Sequence, residues 1–383
     1  MIGATRVQWE ILLERPLFTL RRSGRFLVAD LGVPHRVLST SARSGGQVEH
    51  VRHLVNHQSC EGAGHHERHA AVMEKGQEVY HDSVCGEIDL PPDLTAVMGT
   101  AANMNYAAIV TETDDDVEVS AIVTAGVEGN ATAAGEPANW RETAAGVGKV
   151  ILPAGTINTL LLINMPLTPS ALARAVMTMT EGKSAALQRL AVPSRLHADL
   201  ATGTGTDQYC VAVPMAGAFT LTSASPHMKL GELVGHATRD ATLEALRWQN
   251  GLEASYTRGV FHALGRYGVR EATLLEDIAP YVSPSDLELL RRNSKSVFYE
   301  PLVGAAAHAL AAVCDRVRHG TLPQTIAADA QVQQAAALSA NLAAQVHRWA
   351  EFRATLRPHA DGDVKVLVLR ALALGWSEKW RTG

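Results

Sequence analysis

Hydrophobic and polar positions come in short alternating runs up to about residue 240, then settle into a longer helical rhythm. Runs at Phe26–Leu31, Arg36–Ser39, Ala107–Thr111 and Val117–Thr124 are short and bounded by loop residues, so they predict strands. Asp114-Asp115-Asp116, between the last two, predicts a hairpin tip. Lys149–Leu152, Thr156–Ile163 and Gln208–Pro214 are apolar enough to predict buried strands. Between the last two runs a helix is predicted. Thr168 serves as its N-cap and Pro169 takes its first position. Leu172, Val176, Met179 and Leu187 share one face, and Pro193 stops the pattern. On that helix Thr180, Lys183 and Ser184 project from one side, with Glu181 turned roughly 100° away from Thr180.

From about residue 240 alanine-rich runs, notably Gly304–Val317 and Ala327–Thr355, predict helices. The expected fold is therefore an α+β or α/β layered sheet-and-helix domain over 1–245, followed by a helical region over 246–383. That helical region is expected to serve as an oligomerisation surface or a lid, and the protein is expected to be a homo-oligomer. Residues Val127–Gly148, rich in Gly, Ala and Asn, read as a flexible active-site loop.

Composition narrows the function classes. With 46% hydrophobic and 19% charged residues, this is an ordinary globular chain. A net charge of −5 leaves no basic excess for a nucleic-acid backbone. The cluster Arg15, Arg21, Arg22 and Arg25 sits among apolar residues and reads as a solvated strand edge. Four cysteines (Cys60, Cys85, Cys210, Cys314) are too scattered for a disulfide framework. The first twenty residues lack a basic, then apolar, secretory pattern, and no apolar run reaches the roughly 18 residues that span a bilayer. A cytoplasmic protein with no membrane partner is expected.

Chemistry concentrates in two places. The first is Ala201-Thr202-Gly203-Thr204-Gly205-Thr206-Asp207, a run of glycines and hydroxyls closed by an acid just before a strand. Glycines let backbone N–H groups approach a ligand, and threonines add donors and acceptors. The run lacks the Gly-Lys-Ser/Thr ending of a phosphate-binding P-loop. The second is a histidine-rich insert, 50–85. There His57, Cys60, His65, His66, His69 and His81 are candidate ligands for a transition metal (zinc, iron, nickel or copper). His65 and His69 would share a helix face. Ala70 stands where a zinc-protease HExxH motif starting at His66 needs histidine, so that motif is absent. Solvated histidines in a polar loop are the alternative.

A series of short motifs occurs in order. It runs Ser39-Thr40-Ser41-Ala42 with Gly45-Gly46, Thr124-Ala125-Gly126-Val127, Gly155-Thr156-Ile157-Asn158, Leu167-Thr168, Thr180–Leu187, Ala201–Asp207 and His227–Leu233. This series resembles the adenosylcobinamide amidohydrolase family over roughly 25–245. The resemblance implies hydrolysis of the amide that joins aminopropanol to the corrin ring's propionate arm, giving adenosylcobyric acid. The chain departs from the family at Gly182, where an alanine is usual. It departs also in a lengthened loop after Gly126, in the stretch Asn56–Cys85 and in the helical final third. A mid-helix glycine costs roughly 1 kcal/mol against alanine, and it is expected to make room for a different ligand.

Roles follow as expectations. Asp207 either closes a turn on nearby N–H groups or acts as general base on water. Glu181 and Lys183 are either exposed helix charges or, respectively, an acid–base group and a stabiliser of negative charge. Asn130 and Asn158 are turn residues or amide donors to a carbonyl oxygen, and Gly155, Thr156, Gly203, Thr204, Gly205 and Thr206 complete the substrate wall. His227 caps a helix or protonates the leaving amine. Cys210 reads as a small buried hydrophobe, while Ser39 and Ser41 are possible nucleophiles. Three classes remain open: a corrinoid amide hydrolase, a metal-dependent enzyme on the same scaffold acting on another small molecule, and a corrinoid- or metal-binding carrier.

Overall fold

Thirteen strands are present in the computed structural model, which describes residues 8–61, 76–138, 141–144, 155–360 and 362–381. They are β1 (Glu10–Arg15), β2 (Phe18–Ser23), β3 (Phe26–Leu31), β4 (His35–Ser39), β5 (Gly46–Val48), β6 (His53–Gln58), β7 (Thr95–Thr100), β8 (Ala108–Asp114), β9 (Val117–Ala125), β10 (Ala131–Thr132), β11 (Ile157–Ile163), β12 (Gly203–Thr204) and β13 (Gln208–Pro214). Five make one sheet, in the order β1-β2-β3-β6-β7, and six make a second, in the order β5-β4-β13-β11-β9-β8. β10 and β12 form a separate two-stranded ribbon.

The layering follows from which residues alternate inward. Leu20, Leu27, Ala29, Leu54 and Met98 of the first sheet pack on Ile122, Leu160, Leu162 and Ala212 of the second. The outer face of the first sheet carries Phe26, Val28, Val55 and Val97 and is covered by α1 (Gln77–Glu87) through Val84 and Cys85. The outer face of the second sheet is covered by α2 (Pro169–Arg189) and α3 (Lys229–Asn250). The result is four layers, helix on sheet on sheet on helices, consistent with the α+β expectation.

β11 pairs with β13 in parallel, and α2 makes the crossover between them. Thr168 Oγ1 accepts from the Ala171 N–H at 3.2 Å, and Pro169 opens the helix as its sequence predicts. The helix ends at Arg189, ahead of Pro193, because Ala191 adopts a left-handed conformation (φ 49°) and Val192 N–H turns back to Leu187 O at 3.0 Å. β8 and β9 meet at Asp115, whose φ of 48° makes the hairpin tip.

The histidine-rich stretch corrects the sequence reading. His53–Gln58 is the interior strand β6, flanked by β3 and β7, and Gln77–Glu87 is α1. Much of the stretch is therefore sheet and covering helix rather than an inserted loop. The expected strand 149–152 lies outside the described residues. The expected active-site loop is described only in part, and its Ala131–Thr132 is strand.

The chain divides into two compact units, 1–196 with 200–252, and 197–199 with 253–383. The expected boundary at 245 falls inside α3, which runs unbroken to Asn250. The second unit is helical: α4 (Ala254–Thr257), α5 (Val260–Leu264), α6 (Leu274–Ile278), α7 (Pro284–Phe298), α8 (Pro301–Arg318), α9 (Gln324–Ala343), α10 (Trp349–Leu356) and α11 (Val364–Glu378). Its own core includes Phe298, Leu310, Leu338, Phe352 and Leu372. The helical run expected over 327–355 is interrupted at Ala344, which takes a left-handed conformation (φ 57°) and caps α9.

Candidate functional site

The Ala201–Asp207 loop is fastened to the start of β11 and to the last turns of α2. Asp207 is the fastener. Its Oδ1 accepts from the Ile157 N–H at 2.9 Å and the Thr204 hydroxyl at 2.6 Å. Its Oδ2 accepts from the Thr204 N–H at 3.1 Å and from Lys183 Nζ. A carboxylate has about four lone-pair positions, and here each is used. Asp207 has no vacant position from which to take a proton from water. Its place in the structure is that of a positioning group that fixes Lys183, not the general base named as one expectation above.

Lys183 and Asp207 side chains are only 15% and 18% exposed, so the pair sits at the rim of the core rather than in open solvent. Among the described residues Lys183 has no hydrogen-bond partner besides Asp207, which leaves two of its three N–H donors available. Gly203 is required here: a Cβ would lie 2.5 Å from Asp207 Oδ2 and 2.8 Å from Lys183 Nζ. Ser184 and Gln188, one and five residues further along α2, donate to Thr202 O (2.9 Å) and Ala201 O (3.1 Å). Both were missed as loop anchors by sequence reasoning. Their i, i+4 spacing to each other on α2 was the available signal.

Four of the loop's N–H groups are spent on the protein itself. Thr202 N–H donates to Thr132 O, Thr204 N–H to Asp207, Gly205 N–H to Asn130 O and Thr206 N–H to Thr204 Oγ1. Of the Gly203–Thr206 loop expected to stabilise an oxyanion, the N–H groups of Thr204, Gly205 and Thr206 are therefore already engaged. Asn130 is likewise engaged: its Nδ2 donates to Gly155 O at 3.0 Å and Thr206 Oγ1 at 3.1 Å, and Thr206 also donates to Gly155 O at 2.8 Å. Gly155, at φ 139°, lets this crossing occur, since a Cβ would lie 3.0 Å from Gly126 O. Thr156 donates to Thr206 O at 2.5 Å.

Asn158 lies below the site rather than in it. Its side chain is fully buried and donates to Asn56 Oδ1 (2.8 Å) and Gly99 O (3.1 Å), while Asn56 donates to Thr124 Oγ1 at 2.8 Å. This network joins β11 and β9 of one sheet to β6 and β7 of the other. It cannot meet a substrate carbonyl.

Two expected catalytic residues are not brought to Lys183. Glu181 is on the exposed side of α2. His227 is exposed in the turn before α3, beside Lys229, which pairs with Asp114 (3.9 Å) at the β8–β9 tip. The far end of α3 meets the loop after β9, where Asn250 Oδ1 accepts from Val127 N–H at 3.2 Å. Gly182 makes room for a helix rather than a ligand: its Cβ would lie 2.8 Å from Gly235 O of α3.

Of the six candidate metal ligands, His65, His66 and His69 lie outside the described residues. His57 is buried in β6, stacked on Phe26 and bonded through Nδ1 to the Tyr80 hydroxyl at 2.7 Å. His81 is buried and bonded through Nε2 to Pro92 O at 3.0 Å. Cys60 lies 3.8 Å from Ser59 Oγ. Among the described residues no three His, Cys, Asp or Glu side chains converge as a metal-binding group. Burial pushes the Cys85 thiol up to about 11 and the Cys210 thiol up to about 12, so both stay protonated at neutral pH. Ser41 Oγ donates to Arg43 O at 2.6 Å and accepts from Val97 N–H at 3.0 Å, a structural use of that hydroxyl.

A layered α+β scaffold thus places a lysine, fixed by a carboxylate, at a glycine–threonine loop. Over 176 residues the chain is 36% identical to an uncharacterized protein, MJ1613, of Methanocaldococcus jannaschii, covering 44% of this chain and 68% of that one. A sequence model of the adenosylcobinamide amidohydrolase family matches residues 15–254. The chain belongs to that family.

Proposed function

We propose that this protein hydrolyses the amide of adenosylcobinamide, releasing aminopropanol and leaving adenosylcobyric acid. Family membership carries this reading, because the matched span 15–254 includes every strand and helix that builds the Lys183–Asp207 site. In the reaction water adds to the amide carbon, the C–N bond breaks, and the amine leaves with a proton. Negative charge develops on the carbonyl oxygen. Lys183, with two donors that no described residue takes up, is the group that meets it, and Asp207 holds the ammonium in place.

The test is incubation of the purified protein with adenosylcobinamide, with mass detection of both products. Conversion by the unmodified protein and loss of about 100-fold or more in kcat for Lys183→Ala are expected, the range seen when one donor to a developing oxyanion is removed. No product from the unmodified protein would refute the substrate. Full activity of Lys183→Ala would refute the residue assignment.

A further inference from the structure

A cavity of about 190 Å³ lies at the other end of β11 from Asp207, under the turn between β1 and β2. β11 is seven residues long, which separates the cavity from the Lys183 site by about 20 Å. Its apolar lining includes Phe18, Leu162 and Ile163, all buried. Its polar lining is Arg15, Glu118, His35 and Asn164, the last with its amide already bonded to Glu118 N–H and Asp116 O.

Arg15, Glu118 and His35 are each anchored, with an atom to spare. Arg15 Nε donates to Glu118 Oε1 at 2.9 Å, and Arg15 Nη1 donates to Glu14 O at 3.1 Å. Among the described residues, Arg15 Nη2 and Glu118 Oε2 make no further hydrogen bond. Glu118 is fixed from behind, its N–H donating to Asn164 Oδ1 at 2.7 Å. His35 is 1% exposed, and its Nδ1 lies 2.7 Å from Val33 O. A carbonyl only accepts, so Nδ1 carries the proton and Nε2 is left with a lone pair. Burial lowers the His35 pKa, consistent with that neutral form.

The lining specifies a ligand. Arg15 and Glu118 together are neutral, so a ligand bearing one charge would be attracted by one and repelled by the other. A ligand with both charges suits both: Glu118 and the His35 lone pair are acceptors for its ammonium, and Arg15 Nη2 is a donor for its carboxylate. The apolar lining takes a short hydrocarbon side chain. The volume fits such a molecule, since a buried apolar cavity of roughly 150 Å³ admits benzene. We propose that this cavity binds a small free amino acid with an aliphatic side chain, at a site separate from the Lys183 centre.

Calorimetric titration of the full chain with L-valine and L-leucine tests this, alongside isobutylamine and isovalerate, which carry only one of the two charges. Saturable one-to-one binding of an amino acid is expected, with each singly charged probe at least about tenfold weaker. Glu118→Gln, which keeps the side-chain shape, is expected to weaken binding by about 30-fold while the melting temperature of the folded protein stays close to the parent's. Absence of saturable binding up to about 10 mM, well above a millimolar Kd, would overturn the proposal. So would an amine that binds as tightly as the amino acid, or a folded Glu118→Gln protein that binds unchanged. The probe comparison needs no variant, so a folding defect in Glu118→Gln leaves the test intact. Corrinoid turnover is a separate measurement and does not bear on it.

Discussion

A carboxylate surrounded by four donors is a fixed point, and the residues around Asp207 behave accordingly. Isosteric Asp207→Asn removes the charge that holds Lys183 and turns an NH₂ towards at least one donor that needs an acceptor. Breaking one side of a partly buried pair in this way is expected to cost about 2 kcal/mol of stability, below the 3–5 kcal/mol of a fully buried one. Lys183→Ala differs, since Asp207 keeps its other three donors. That variant is expected to lose activity with a stability change within about 1 kcal/mol. Urea unfolding beside turnover assays separates the two; equal stability losses would show that Asp207 has no fastening role. Gly203→Ala tests the same point sterically. Its Cβ would meet Asp207 Oδ2 at 2.5 Å, and the carboxylate cannot retreat without releasing Thr204 and Ile157. The variant should stay folded, at a cost of about 1–2 kcal/mol, and lose turnover to nearly the extent of Lys183→Ala.

At the scale of elements, the packing of α2 on α3 decides what Gly182 is for. A helix interior gains about 1 kcal/mol from Gly→Ala where nothing else intervenes. At 182 the new methyl would sit 2.8 Å from the Gly235 carbonyl, backbone against side chain, and neither helix can yield locally. Overpacking of this kind typically costs about 1–3 kcal/mol, so Gly182→Ala should lower the urea midpoint despite the better helix former. A raised midpoint would show that the two helices are free to separate. The same scale shows what could be read from sequence. β3, β13 and the start of α2 were legible because their signals are local: apolar runs between loop residues, and a threonine cap followed by proline. β6 was not. Its alternation His53, Leu54, Val55, Asn56, His57, Gln58 places polar side chains inside the fold, and only distant residues (Thr124 and Asn158 for Asn56, Tyr80 for His57) make that burial tolerable. The site was legible in part for the same reason. Lys183 and the Gly/Thr loop could be singled out by residue type, whereas the saturation of Asp207 depends on strand pairing and on which turn of α2 meets the loop.

At the scale of the whole molecule, the two units have separate hydrophobic cores, and the second takes in His197–Asp199 ahead of its main body. Asp199 ties that segment to the end of α8 by accepting from Arg318 Nη2 and, at 2.7 Å, lying against His319 Nε2. The Arg318 and His319 partners hold its carboxyl down at about 2, against an ordinary value of 3.8. The sign of the resulting pH effect follows. Above 3.8 the group is ionised folded or unfolded, and the stabilisation is complete. Between 3.8 and about 2 the unfolded chain takes up a proton that the folded one refuses, so the stabilisation drains away as pH falls. Asp199→Asn removes the titrating group. Calorimetric scans of parent and variant should therefore differ most at neutral pH, where the parent is the more stable, and converge as pH drops through that window. A gap that persists unchanged below pH 2 would mean that the attachment of 197–199 does not depend on the Asp199 charge.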